Sequence, residues 1–161
     1  MGQRPEDADI STTEYQALAE FRYRIRQFLH FSEQVARTAG IEPQQHQLML
    51  AIKGFPNGDP ATITDLAERL QLQHHSVVEL VNRAEGRGLV RRSRGEADRR
   101  QVFIHLTDAG ERMLSELSLH HRGELRVAGP ELVRALNALV PAASGRASPK
   151  PGLGEPPGRR G

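Results

Sequence analysis

Between Thr62 and Leu106 the hydrophobic pattern breaks twice, and few architectures accept both breaks in so short a span. Ile63, Leu66, Ala67 and Leu70 recur at helical spacing, and so do Val77, Leu80, Val81 and Ala84. A break at 71–73 separates the two sets, and Gly86 and Gly88 end the second. After them the period drops to two. Val102, Ile104 and Leu106 face one way, with Gln101, Phe103 and His105 facing the other. Two strands are predicted, Leu89 to Arg94 and Arg99 to Leu106, joined by a turn at Gly95-Glu96-Ala97-Asp98. Thr62 is placed to cap the first helix, with Asp65 three residues on.

Two short helices across a tight turn, followed at once by a hairpin, make a winged helix-turn-helix. The fold class expected is mainly α with a small β-hairpin wing. Longer helices flank this unit. Thr12 or Thr13 can cap one that stops at Gly40. Its apolar stripe runs through Leu18, Phe21, Ile25, Phe28, Ser32, Val35 and Ala39, while Tyr23 and Phe31 lie off it, so two sides need covering. Pro43 opens a second helix, about 43–53, and "GFPNGDP" (54–60) is a turn cluster. Thr107 is placed to cap a fifth helix, about 108–127, containing Met113, Leu114 and Leu117. "AGP" at 128–130 is expected to break it before a last short helix carrying Leu132, Val133, Leu136 and Leu139. Residues 1–11 read as a loose arm. Ten of the 21 residues in 141–161 are Pro or Gly, which predicts a disordered basic tail.

Charge then points to a partner. The chain nets only +2, yet between Leu80 and Thr107 seven arginines (83, 87, 91, 92, 94, 99 and 100) stand against Glu85, Glu96 and Asp98. Of all 22 basic residues, only Lys53 and Lys150 are lysines. Arginine presents a planar fork suited to phosphate and base edges. With Val77, Leu80, Val81 and Ala84 turned inward, the second helix leaves Gln73, His74, His75, Ser76, Val78, Glu79, Asn82 and Arg83 near its outer side. Such side chains supply donors and acceptors for a major groove. Glu79 is ambiguous, able to accept from a cytosine amino group or to pair with Arg83 one turn on. The hairpin carries Arg94, Arg99 and Arg100 toward phosphate or the minor groove. The partner expected is double-stranded DNA.

"ITDLAERLQLQHHSVVELVNRAEGRGLVRR" followed by "DRRQVFIHLTDAG" resembles the multiple antibiotic resistance regulator (MarR) family of bacterial transcription factors. The family's wing pattern is met by Asp98, Arg100, Leu106-Thr107 and Gly110, and the likeness spans about residues 13–140. Ala84 departs from the larger apolar residue the family favours there. The resemblance implies that Asp98 braces Arg100 for the minor groove. It implies a homodimer, with a winged unit at about 43–106 and dimerisation helices at about 12–39 and 108–140, reading a near-palindromic operator as a repressor. It also implies a small aromatic or anionic effector bound between the first, second and fifth helices, near which His30 and His46 are the polar candidates.

Other classes fit less well. There is no glycine-rich phosphate loop, HExxH or nucleophile elbow, so no enzyme is expected, and no cofactor. A winged module that binds only protein would want a neutral wing. A metal-responsive regulator would need ligands that the histidine spacing does not supply, since the adjacent His120 and His121 point to different faces of a helix. The absence of cysteine removes thiol switches. No apolar run reaches membrane-spanning length, and "MGQRPEDADISTTEY" lacks the apolar centre of a signal peptide, so the cytoplasm is expected.

Overall fold

A computed structural model describes residues 10–140. Residues 1–9 of the arm expected over 1–11, and the tail expected over 141–161, lie outside the described residues. The elements in order are α1 (Thr12–Thr38), α2 (Pro43–Lys53), a 3-10 turn (Pro56–Gly58), β1 (Ala61–Thr62), α3 (Ile63–Leu70), α4 (His74–Gly86), β2 (Val90–Arg94), β3 (Val102–Leu106) and α5 (Asp108–Asn137).

The cap of α1 is Ser11, not Thr12 or Thr13. Starting one residue earlier puts Glu14 at the third helical position. Its carboxylate there accepts from the Ser11 N–H at 2.8 Å, while the Ser11 hydroxyl accepts from the Glu14 N–H at 3.2 Å. Thr62 and Asp65 form the same reciprocal pair at the start of α3. The shorter Asp suffices because Thr62 N–H lies 2.8 Å from its Oδ2. Gln71 takes a left-handed conformation (φ 53°) to turn the chain from α3 into α4.

The hairpin is part of a three-stranded antiparallel sheet in the order β1-β3-β2. The extra strand is two residues long, with Ala61 opposite Ile104 and Thr62 opposite Phe103. No periodicity can be read from two residues, and only the pairing with β3 makes them a strand. The expected strand Arg99 to Leu106 starts later, at Val102. Gly95 N–H donates to the Gln101 carbonyl at 3.0 Å, and Gln101 N–H to the Asp98 carbonyl at 3.1 Å. Residues 95–101 therefore form one tight loop, and Arg99 and Arg100 sit at its tip. A Cβ at Gly95 would come within 2.8 Å of the Asp98 carbonyl oxygen, so the loop needs glycine there.

The expected break at 128–130 does not occur. α5 is one helix of 30 residues with Pro130 inside it. Proline removes one helical hydrogen bond and crowds the preceding turn. Helix formers on both sides and packing against α1 offset this. Arg24 of α1 approaches Glu131 at 3.9 Å, and Ala135 beyond the proline is buried. At the other end of α5 the Leu-Thr-x-x-Gly pattern has a steric basis. The Thr107 hydroxyl donates to the Gly88 carbonyl at 2.5 Å and accepts from the Gly110 N–H at 3.0 Å. A Cβ on Gly110 would lie 2.0 Å from the Leu89 carbonyl oxygen. The helix start is thus locked to the end of the α4–β2 turn.

The core gathers Leu48 and Met49 of α2, Leu66 of α3, Val77, Leu80, Val81 and Ala84 of α4, Ile104 of β3, and Leu114 and Leu117 of α5. Ala84 is fully buried despite its size. The far ends of the long helices are different. Tyr15 (60%), Leu18, Tyr23 and Leu29 on α1, and Leu125, Val127 (78%), Val133 and Leu136 on α5, stay exposed. Among the described residues, no helix is long and apolar enough to cross a membrane.

Candidate nucleic-acid interface

α4 buries Val77, Leu80, Val81 and Ala84 and turns the rest outward. Gln73, which occupies the N-cap position, is exposed, as are His74, His75, Glu79, Asn82 and Arg83, while Ser76 and Val78 are half-buried. Arg94, Asp98, Arg99 and Arg100 are exposed on the adjoining wing. The helix face and the wing tip are held to one another through the core by Leu89, Val90 and Ile104.

The arginines divide into two groups. Three are held inside the molecule. Arg83 donates through Nε (3.2 Å) and Nη2 (3.1 Å) to Glu42 at the start of α2. It does not pair with Glu79, the alternative open in the sequence, because Glu42 is brought beside it from 41 residues away. Arg87 donates to the Gly40 carbonyl at 2.5 Å. Arg92 forms an ion pair with Glu85, and its Nη2 donates to Asn82 Oδ1 at 2.7 Å. The other four, Arg91, Arg94, Arg99 and Arg100, have no carboxylate partner among the described residues. The local positive surplus is therefore concentrated on the wing.

Asp98 acts differently from the brace the resemblance implies. Its Oδ1 accepts from the Arg100 backbone N–H at 2.9 Å rather than from the guanidinium. The carboxylate thus shapes the loop that presents Arg100 and leaves the side chain free. Sequence reasoning missed the roles of Glu42, Glu85, Arg87 and Arg92. Each pairs with a residue on another element, and no local spacing announces that.

The two histidines named as effector candidates are not brought together. His30 lines a cleft of about 580 Å³ between α1 and α5, with Arg24, Phe31, Glu131 and Leu132. His46 is 5% exposed and lines a separate cleft, also about 580 Å³, between α1, α2 and α5. Phe28, Leu50 and Leu125 give that cleft apolar walls, and Arg122 and Arg126 add cations. His46 stacks on His121, with ring centroids 4.6 Å apart and planes 18° from parallel. Phe28 and Phe31 meet His121 edge-on. His121 Nδ1 lies 2.5 Å from the Leu117 carbonyl and Nε2 lies 2.7 Å from the Ser32 hydroxyl. The carbonyl can only accept, so Nδ1 carries a proton, while Nε2 shares a hydrogen bond with the Ser32 hydroxyl. Burial first, and then His121, hold the His46 pKa down at about 4. Among the described residues, no three His, Asp or Glu side chains cluster in a way that could hold a metal ion.

Known proteins share this arrangement. The model of the MarR family matches residues 39–101, from the end of α1 through the wing loop. The HTH-type transcriptional regulator MgrA of Staphylococcus aureus is 41% identical over 59 residues, a stretch covering 37% of this chain and 40% of that regulator. The crystal structure of AbsC, a MarR family transcriptional regulator from Streptomyces coelicolor, superposes with a TM-score of 0.67 at 25% identity, covering 82% of this chain and 93% of AbsC. A mutant of S. aureus MepR bound to an oligodeoxyribonucleotide shares the fold, with a TM-score of 0.59 at 21% identity over 78% of this chain and 97% of MepR. The relatives are named as transcription regulators and not as enzymes. The family's model covers the helix-turn-helix and wing, and the structural likeness extends over both long helices: residues 39–101 match the MarR family, and the described chain resembles its transcriptional regulators in fold.

Proposed function

We propose that this chain is a sequence-specific DNA-binding repressor that acts as a homodimer and responds to a small ligand. The observation that carries the reading is the pairing of an outward polar helix face with a wing whose Arg94, Arg99 and Arg100 have no carboxylate partner among the described residues. Those cations are free to meet phosphate, and the sequence-independent part of DNA affinity comes from such contacts. MepR was solved bound to an oligodeoxyribonucleotide, which supports the same use here. On this reading Gln73, His74, His75, Ser76, Val78, Glu79, Asn82 and Arg83 approach the major groove. Arg94, Arg99 and Arg100 follow the backbone or minor groove, and Asp98 holds their loop.

The winged unit, 43–106, is then the reading head, and 12–39 with 108–140 form the dimer. The exposed apolar residues on the outer halves of α1 and α5 support that assignment, since a second copy would cover them. The cleft containing His46 joins α1 and α5 to α2 of the reading head, so its occupant would bias how the two are held. Its apolar walls and two arginines suit a small aromatic anion.

The test is to recover and sequence the genomic fragments the protein binds. A recovered duplex is then titrated with protein, and salicylate is added to the complex. Enrichment of one near-palindromic motif, and release by the aromatic acid, are expected. Recovery of fragments with no common motif would overturn the specific-repressor reading. Release by mild peroxide without ligand would overturn the ligand switch.

A further inference from the structure

The hydrogen bond between the wing's first strand and α4 settles what Asn82 can offer a base. Glu85, Arg92 and Asn82 form a chain. Glu85 Oε1 accepts from the Arg92 backbone N–H at 3.2 Å, and its carboxylate pairs with the Arg92 guanidinium. Arg92 Nη2 then donates to Asn82 Oδ1 at 2.7 Å. Oxygen and nitrogen of an asparagine amide are easily interchanged, but not here. A guanidinium has five donors and no acceptor, so the atom it meets must be the oxygen. The Asn82 amide nitrogen therefore points away from Arg92 with both its hydrogens uncommitted.

An asparagine reads adenine by using oxygen and nitrogen together, accepting from N6 and donating to N7. In this protein the oxygen is already engaged, and its remaining lone pair lies beside a guanidinium that disfavours an approaching amino donor. What α4 presents at this point is donors only. Among base edges, guanine alone offers two adjacent acceptors, O6 and N7. This argument rests on the proposed DNA reading and deepens it.

We propose that Asn82 reads guanine in each half-site, and that Arg92 is the positioning residue that sets this preference by occupying the Asn82 carbonyl. Glu85 aims Arg92, so base choice on the recognition helix is governed partly from the wing.

The experiment is selection from a duplex library with a randomised central segment, sequencing the bound fraction for wild type, Asn82→Ala, Asn82→Asp and Arg92→Ala. Side-chain amide NMR spectra of the free proteins accompany it. Wild type is expected to enrich one guanine per half-site that Asn82→Ala loses, with affinity for that site falling about tenfold. Arg92→Ala frees the carbonyl and is expected to admit adenine at the same position, and to shift the Asn82 amide resonances of the free protein. Asn82→Asp keeps the Arg92 partner but replaces the outward donors with an acceptor, so guanine preference is expected to vanish even if Arg92→Ala fails to fold. The proposal is overturned if the Asn82-dependent base is adenine, if Asn82→Ala weakens all sequences equally, or if Arg92→Ala folds and leaves the preference unchanged. No enriched motif for wild type would overturn the DNA reading itself. A motif indifferent to Asn82 would overturn this inference alone.

Discussion

His46 shows how a residue's chemistry depends on neighbours that its sequence position does not reveal. As one of seven histidines it is unremarkable, and α2 carries it inward only because Leu48 and Met49 beside it belong to the core. Burial and the stacked His121 then favour its neutral form, with a pKa of about 4 against an ordinary 6.5. Between those values the unfolded chain takes up a proton that the folded chain refuses. Stability from this group is thus complete above about pH 6.5 and is lost as pH falls toward about 4, by up to about 3 kcal/mol. Urea unfolding at pH 7.5 and pH 5 measures this. His46→Phe keeps a ring on His121 and removes the titration, so its acid loss is expected to be smaller. Equal acid sensitivity in both proteins would contradict this assignment.

At the level of elements, what the sequence made legible was local. Helical spacing in 63–70 and 77–84, the alternation of 102–106 and the glycines between them located α3, α4 and β3. The Thr62–Asp65 and Thr107 caps were equally local. What could not be read was set by contacts distant in sequence. β1 exists through β3, Arg83 is claimed by Glu42, and α5 runs through Pro130 because both of its halves lie on α1. The site was legible as a set of exposed residues, but the division of its arginines into held and free was not. Pro130→Ala restores a hydrogen bond within a continuous helix, so a rise in stability of up to about 3 kcal/mol is expected in urea unfolding. A helix broken at 128–130 would gain nothing. On the wing, Arg100→Ala is expected to weaken binding of a recovered duplex by about 1–3 kcal/mol. Arg94→Ala is expected to flatten the salt dependence by about one unit of slope. Folded Arg100→Ala binding as tightly as wild type would remove the wing from the proposed interface.

For the whole molecule, the division of exposed surface sets the account. The winged unit shares one core with the near ends of α1 and α5, whereas the outer halves of α1 and α5 leave Tyr15, Leu18, Val127, Val133 and Leu136 uncovered. A chain with 37% hydrophobic content and such a face gains by pairing. Pairing two heads by a two-fold axis would present two recognition helices to one side of a duplex. The matching operator halves then lie about one helical turn, roughly 10 base pairs, apart. Hydroxyl-radical footprinting of a recovered duplex, with the sedimentation mass of the same complex, tests this most directly. The account predicts two protected half-sites about one turn apart and two protein chains per duplex, with protection over one half-site weakened when that half-site is scrambled. A single protected patch bound by one chain, or protection that spreads evenly whatever the sequence, would contradict it.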